Sequence, residues 1–268
     1  MQFLPNITEN HHRELRTVLV VKNSEVKLSA VAGDLKKSPS DALVIGVGQG
    51  PDGPVLLENP LTAKAAEALA ESLSVLGITG VADQAHRLPG LPEAGATILL
   101  LAGVGKLSAK QPLTEEALRR AAGSAVRQLA GVTTVTLALP TTTLAEVAAV
   151  AEGAAMGAYS YTEFRSSKDG LKDPVKNVVI RTDFAADKAL APVLERAALI
   201  GKAVNATRSL VNQPPSHLYP ETFADAAKEL AKGLPVKVTV WDEKRLEKDG
   251  FGGILGVGKG STRQPRLV

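Results

Sequence analysis

The 268-residue chain contains no cysteine. Thiolate nucleophiles, thiolate metal sites and disulfide staples are therefore excluded. Aromatic residues make up only 3% of it. That excludes the rows of exposed rings on which single-stranded nucleic acid stacks, and it leaves a core of Val, Leu, Ile and Ala. Long apolar runs are missing as well: stretches such as Ala96 to Val104 are too short to cross a bilayer. The opening Met1-Gln-Phe-Leu-Pro-Asn6 has no basic region followed by an apolar run, so no signal peptide is read. Nor does one charge sign dominate. Lys and Arg number 31 against 28 Asp and Glu, a net +3, which permits an acidic partner without demanding one. A soluble, cytoplasmic protein with no membrane partner is expected.

What is present alternates. Residues 1–16 read as a polar lead-in, and Thr17–Val21 as a first strand. Asp41–Val47 and Ala96–Ala102 are unbroken apolar runs ending in glycines, the pattern of strands buried on both faces. Val132–Leu139 and Asn177–Arg181 read as further strands. Between them lie helical patterns over Leu61–Leu76, from an N-cap at Thr114 to a stop at Gly131, and over Thr143–Tyr159. Arg165–Lys176 is the most loop-like stretch. This alternation predicts an α/β sandwich with a parallel or mixed sheet. A long helix follows over Asp187–Val211, then an extended break at Asn212-Gln-Pro-Pro215. Pro220 opens another helix at its first position. Val236–Trp241 alternates as a half-buried strand does, Asp242–Glu247 reads as a short helix, and Arg266–Val268 as the start of a strand.

Several motifs invite chemistry and fail on context. Gly48-Gln-Gly50-Pro-Asp-Gly53 fits the dinucleotide fingerprint, but Pro51 and Pro54 interrupt the helix that should follow at once. It is read as a glycine-rich loop. Gly253-Ile-Leu-Gly-Val-Gly-Lys259 nearly fits a P-loop, yet Gly260 stands where the Mg²⁺-holding Ser or Thr belongs. The histidines are His11, His12, His86 and His217, and none forms a helical ligand pair with another. No H-E-x-x-H and no nucleophile elbow is present. Arg13, Arg16, Lys36, Lys37, Arg119 and Arg120 are interspersed with acids and read as a solvated surface. No catalytic, cofactor-binding or metal residue is assigned from the residues.

From Arg208 onward the chain resembles a known family. Arg208-Ser-Leu-Val-Asn-Gln-Pro-Pro-Ser-His-Leu-Tyr-Pro220 is similar to the segment that opens the catalytic domain of the leucyl (cytosol) aminopeptidases, the M17 class of dinuclear metallo-exopeptidases. Gly250-Phe-Gly-Gly-Ile-Leu-Gly-Val-Gly-Lys-Gly-Ser261 and Pro265-Arg-Leu-Val268 also match, in a region that in the family runs helix, strand, short helix, glycine-rich turn and first core strand. Upstream, Gly80-Val-Ala-Asp-Gln-Ala-His-Arg87 and Leu99–Lys106 look like the variable N-terminal domain of actinobacterial-type members. Tyr219 and Ser216 depart from the usual Thr and Asn.

The resemblance implies a macro-domain-like α/β sandwich over residues 1–186, a connecting helix over 187–211, and the start of an incomplete catalytic α/β domain over 212–268. It implies a cytoplasmic hexamer that releases N-terminal amino acids from peptides with two divalent ions (Mn²⁺, Zn²⁺ or Mg²⁺). The family's metal-binding stretches, of the type Val-Gly-Lys-Gly-Ile-Thr-Phe-Asp-Ser-Gly-Gly and Asn-Thr-Asp-Ala-Glu-Gly-Arg, are expected beyond residue 268, and Lys259 is not the catalytic lysine. These residues are thus expected to bind no metal and to be inactive alone, with Phe251–Val268 lacking partners. Two alternatives remain: a macro-like module binding ADP-ribose in the loops Gly46–Gly53 and Gly103–Gly105, and a DNA-binding accessory domain, which the small charge does not favour.

Overall fold

A computed structural model describes residues 25–33, 35, 40–91, 95–108, 112–167 and 169–268. The lead-in 1–16, the expected strand Thr17–Val21, His11, His12, Arg13, Arg16, Lys36 and Lys37 lie outside the described residues. The chain divides into two compact units, Asn23–Asn205 and a second that contains Ala206–Val268.

The first unit is built on one seven-stranded sheet. Its strands are β1 (Lys27–Val31), β2 (Ala42–Gly50), β3 (Gly53–Leu56), β4 (Ala85–Pro89), β5 (Ile98–Lys106), β6 (Thr134–Ala138) and β7 (Asn177–Arg181). The order is β1-β7-β6-β2-β5-β4, with β3 paired to β2 off this path. Strands β1, β7, β6, β2 and β5 run parallel, whereas β3 and β4 are antiparallel to their neighbours. Helices α1 (Ala63–Val75), α2 (Glu115–Gln128), α3 (Leu144–Gly157) and α4 (Leu190–Asn212) accompany it, and α4 contains the boundary between the two units.

The alternation of side chains along a strand explains why β2 is apolar without a break. Ala42 and Val44 join the core under α2 and α3, with Leu118, Ala122, Val147 and Ala154. Leu43, Ile45 and Val47 join the opposite core, with Leu69 and Leu73 of α1. Strand β5 divides likewise, Leu100 and Ala102 to one side, Leu99 and Leu101 to the other.

Helices α2 and α3 start where their threonines stop the chain from being extended. Thr114 Oγ1 accepts from the Ala117 N–H at 3.2 Å, and Thr143 Oγ1 accepts from the Glu146 N–H at 3.2 Å in a capping box. Each cap is worth about 1 kcal/mol. The two helices touch backbone to backbone: a Cβ at Gly153 would fall on the Arg119 carbonyl, and one at Gly157 on the Gly123 backbone. Arg119 of α2, itself paired within the helix to Glu116, ties them further through Glu152 of α3 at 2.9 Å.

Four strands depart from expectation. Strand β5 continues through Gly103 and Gly105 to Lys106, because Gly48 and Gln49 of β2 still pair with it after a register shift at Val47. Strand β3 forms a hairpin with β2, so the glycine fingerprint at 48–53 is a two-stranded turn and not a strand-to-helix loop. Strands β1 and β4 flank the sheet, half-exposed, with no apolar run to mark them.

In the second unit, α5 (Pro220–Leu230), α6 (Glu243–Lys248) and α7 (Gly252–Gly258) are helical. Residues 236–240 form no strand. Only Trp241 bridges, to Leu267, and a strand needs a partner to satisfy its backbone. The expected glycine-rich turn is helical, closed at its start by the Leu255 N–H on the Phe251 carbonyl at 3.2 Å. The expectation that Phe251–Val268 lacks partners is corrected too. Arg266 pairs with Glu243 at 2.6 Å. Arg263 stacks on the Tyr219 ring at 3.9 Å and donates to the carbonyls of Pro215 and Ser216.

Gly153→Ala tests the α2–α3 contact. Alanine is worth about 1 kcal/mol over glycine in an exposed helix, but here the added methyl meets backbone and is expected to destabilise by about 1–3 kcal/mol. Urea unfolding followed by circular dichroism reads the sign directly.

Candidate functional site

At several of the glycines proposed to cradle ADP-ribose the space is taken by the chain itself. A Cβ at Gly48 would meet Leu107, one at Gly46 would meet Leu57 at 2.9 Å, and one at Gly103 would strike the Val81 carbonyl. These glycines admit neighbouring parts of the protein. The turn that reaches Gly103 is pinned by Asp83, whose φ is 68°. Arg120 clasps its carboxylate with two nitrogens, and Ser124 Oγ donates to its carbonyl at 3.0 Å.

Chemistry-bearing groups are dispersed. Among the described residues no three His, Cys, Asp or Glu are grouped to hold a metal ion, so the residues present do not fit the family's dinuclear centre. His86 lies on β4, its Nε2 buried without a partner, while His217 meets Ser216 Oγ through Nδ1 at 2.9 Å. Lys259 follows α7 and is exposed.

One cleft has the location and lining of a binding site. It lies at the carboxyl ends of the neighbouring parallel strands β6 and β7, the end at which α/β sheets hold ligands. Its volume is about 240 Å³. Leu139, Pro140, Thr141 and Thr142 line it from the turn after β6. Arg181, Thr182, Asp183 and Phe184 line it from the end of β7, and Glu58 from the stretch after β3. Both turns are fixed. Thr141 Oγ1 donates to Thr182 Oγ1 at 3.1 Å, and the Thr182 N–H donates to the Val31 carbonyl at 3.0 Å. The start of α3 is closed by its own acid, as Glu146 Oε2 accepts from the Thr142 N–H, the Thr143 N–H and the Thr142 hydroxyl. Arg181 is half-buried, and its Nε is buried with no hydrogen-bond partner. No residue of this cleft had been assigned. The available signal was positional: Pro140-Thr-Thr142 and Arg181-Thr-Asp183 each follow the last apolar residue of a strand.

In the second unit the break after α4 is a set of local bonds. The N–H groups of His217 and Leu218 donate to the Pro214 carbonyl. Thr222 Oγ1 donates to the His217 carbonyl at 2.7 Å and accepts from the Tyr219 N–H at 2.9 Å. This is the segment that carries the family motif.

The fold is thus that of an α/β protein in which a mixed-sheet unit is followed by a second, helical one. Residues 44–168 match the model of the cytosol aminopeptidase family N-terminal domain, and residues 205–268 that of its catalytic domain. The chain belongs to the cytosol aminopeptidase family. It is 53% identical over 238 residues to a probable cytosol aminopeptidase of Micrococcus luteus, covering 87% of this chain and 46% of that one. A probable cytosol aminopeptidase of Leifsonia xyli is 48% identical over 231 residues, 85% of this chain and 44% of the relative. The chain spans about half the length of the curated relatives it matches. Among solved structures, the bottromycin maturation enzyme BotP is similar with a TM-score of 0.61 at 25% identity, over 85% of this chain and 45% of that one. It has also been solved in complex with Mn. A tomato leucine aminopeptidase mutant shares the fold, with a TM-score of 0.70 at 18% identity, over 91% of this chain and 50% of its own. No helix of the described residues is long and apolar enough to cross a membrane.

Tyr161, in the loop after α3, gives a pH signature of the first unit. Its hydroxyl is buried without a partner, and burial, then the Glu163 carboxylate and Tyr159, raise its pKa above the usual tyrosine range. A raised folded pKa contributes stability that is whole below the unfolded value of about 10 and is lost as pH climbs through the folded one. Tyr161→Phe is expected to remove a component of the tyrosinate absorbance titration that ionises above the usual tyrosine range, and to flatten the fall of unfolding free energy at alkaline pH.

Proposed function

We propose that this chain is the N-terminal part of a metal-dependent leucyl aminopeptidase, which releases N-terminal amino acids from peptides. The observation that carries the reading is the match of residues 205–268 to the family's catalytic domain, within a chain 53% identical to a probable cytosol aminopeptidase. The complex of BotP with Mn supports metal dependence in the longer protein. There the metals would polarise the scissile carbonyl and activate the attacking water. The ligands for those ions belong, in this reading, to the half of the relatives that the chain does not span.

The surface of the second unit is consistent with completion by further polypeptide. Phe223, Leu230, Leu234, Val236 and Val257 are exposed, and Val257 is 92% accessible. Large apolar groups gathered in one short unit mark a surface that another surface covers. The first unit has a core of its own on both faces of its sheet. A hexameric, cytoplasmic assembly acting on peptide substrates completes the proposal, drawn from the family.

The 268 residues supplied with Mn²⁺ are expected to leave leucine para-nitroanilide intact. A fusion that continues from Val268 into the second half of the Micrococcus luteus relative is expected to hydrolyse it. Turnover by the unfused chain in proportion to its concentration would refute the proposed absence of a metal site. A folded but silent fusion would count against the peptidase assignment.

A further inference from the structure

We infer that the strand-end cleft of the first unit binds a small zwitterion, a free α-amino acid, with its carboxylate on Arg181 and its ammonium between Glu58 and Asp183. The inference does not depend on the peptidase reading, because every residue it uses lies in the first unit.

The starting point is the guanidinium. Among the described residues Arg181 has no side-chain hydrogen bond and no ion pair, and its Nε is buried without a partner. A buried donor left unpaired is costly and rare in folded proteins. Two carboxylates line the same cleft, yet neither Glu58 nor Asp183 is within ion-pairing distance of Arg181. Both are exposed, whereas Arg181 is half-buried. The cleft therefore has a cationic interior and an anionic rim that do not neutralise each other. A ligand bearing both charges would satisfy both.

Charge and size narrow the class. An arginine fork takes a carboxylate through two parallel hydrogen bonds. A phosphate ester would meet the same fork but would also meet Glu58 and Asp183, two negative charges against one positive. At the turn before α3, Glu146 has already taken the Thr142 and Thr143 N–H groups, so these do not offset that repulsion. The volume of about 240 Å³ lies below the range of nucleotide or drug-sized pockets. It equals the liquid volume of roughly eight waters, which suits one amino acid. Leu139 and Phe184 supply apolar wall for its side chain, and the Thr141–Thr182 hydroxyl pair adds polar contact.

Isothermal titration of the 268-residue chain with leucine tests this, alongside the amine that lacks the carboxylate (3-methylbutylamine) and the acid that lacks the ammonium (4-methylpentanoate). Leucine is expected to bind, and each singly charged analogue to bind about tenfold more weakly or worse. Arg181→Gln is expected to abolish leucine binding. Asp183→Asn, at an exposed position, is expected to weaken leucine binding while leaving 4-methylpentanoate binding undiminished or tighter. Absence of leucine binding at millimolar concentration would overturn the inference. So would equal affinity for leucine and 4-methylpentanoate, or inorganic phosphate displacing leucine. The titrations contain no peptide and no metal, so their failure leaves the peptidase assignment standing, and a silent fusion enzyme leaves this site standing.

Discussion

Strand β2 has no face and, over most of its length, no edge left for water. Residues 42–47 are buried, apolar side chains alternate into two separate cores, and β5 lies along one edge while β6 and then β3 lie along the other. A strand in that position requires helices on both sides of the sheet, and parallel neighbours require crossovers long enough to contain them. Helices α2 and α3 meet this demand on one face, and α1 on the other. The alanine-rich composition follows from the same constraint. Helices that must lie close to a sheet and to each other cannot carry large side chains at their contacts, and at Gly123 and Gly153 they carry none.

Function is divided along the chain in a related way. The sheet unit has its polar groups where the strands stop, because only there does the backbone leave the ladder and expose short polar side chains to a common space. Thr141, Thr182 and Arg181 meet there although 40 or more positions separate the two turns in sequence, as the Thr141–Thr182 bond records. The second unit is of another kind. Its order is local, made of caps, turns and stacked pairs such as Arg263 on Tyr219, and it exposes large apolar groups.

Much of the fold was legible in the sequence. Apolar runs bounded by glycine gave β2 and β5, and Asn177–Arg181 was read to the residue. Thr114 at a helix start and Pro220 at a first helical position were legible because caps are local chemistry. Strands β1 and β4 were not, since half-exposed flanking strands carry no apolar run, and β3 was hidden by Pro51 before it and Pro54 within it. The opposite error fell on residues 236–240, whose alternation is genuine but whose backbone finds no strand partner among the described residues. The strand-end cleft was invisible for a different reason: Arg181 is ordinary in sequence and becomes unusual only because nothing in the fold pairs with it.

The sequence alone determined the α/β class, the helix starts and the family, since each rests on residues close together in the chain or on a motif read in order. Tertiary structure alone decided that glycines within β2 and β5 receive Leu107 and Val81, that α2 and α3 meet through bare backbone, and that an unpaired guanidinium shares with two acids a cleft at the ends of β6 and β7. These are statements about which distant atoms share a volume. Periodicity and spacing along a chain record what each segment prefers, and only packing records which segments meet.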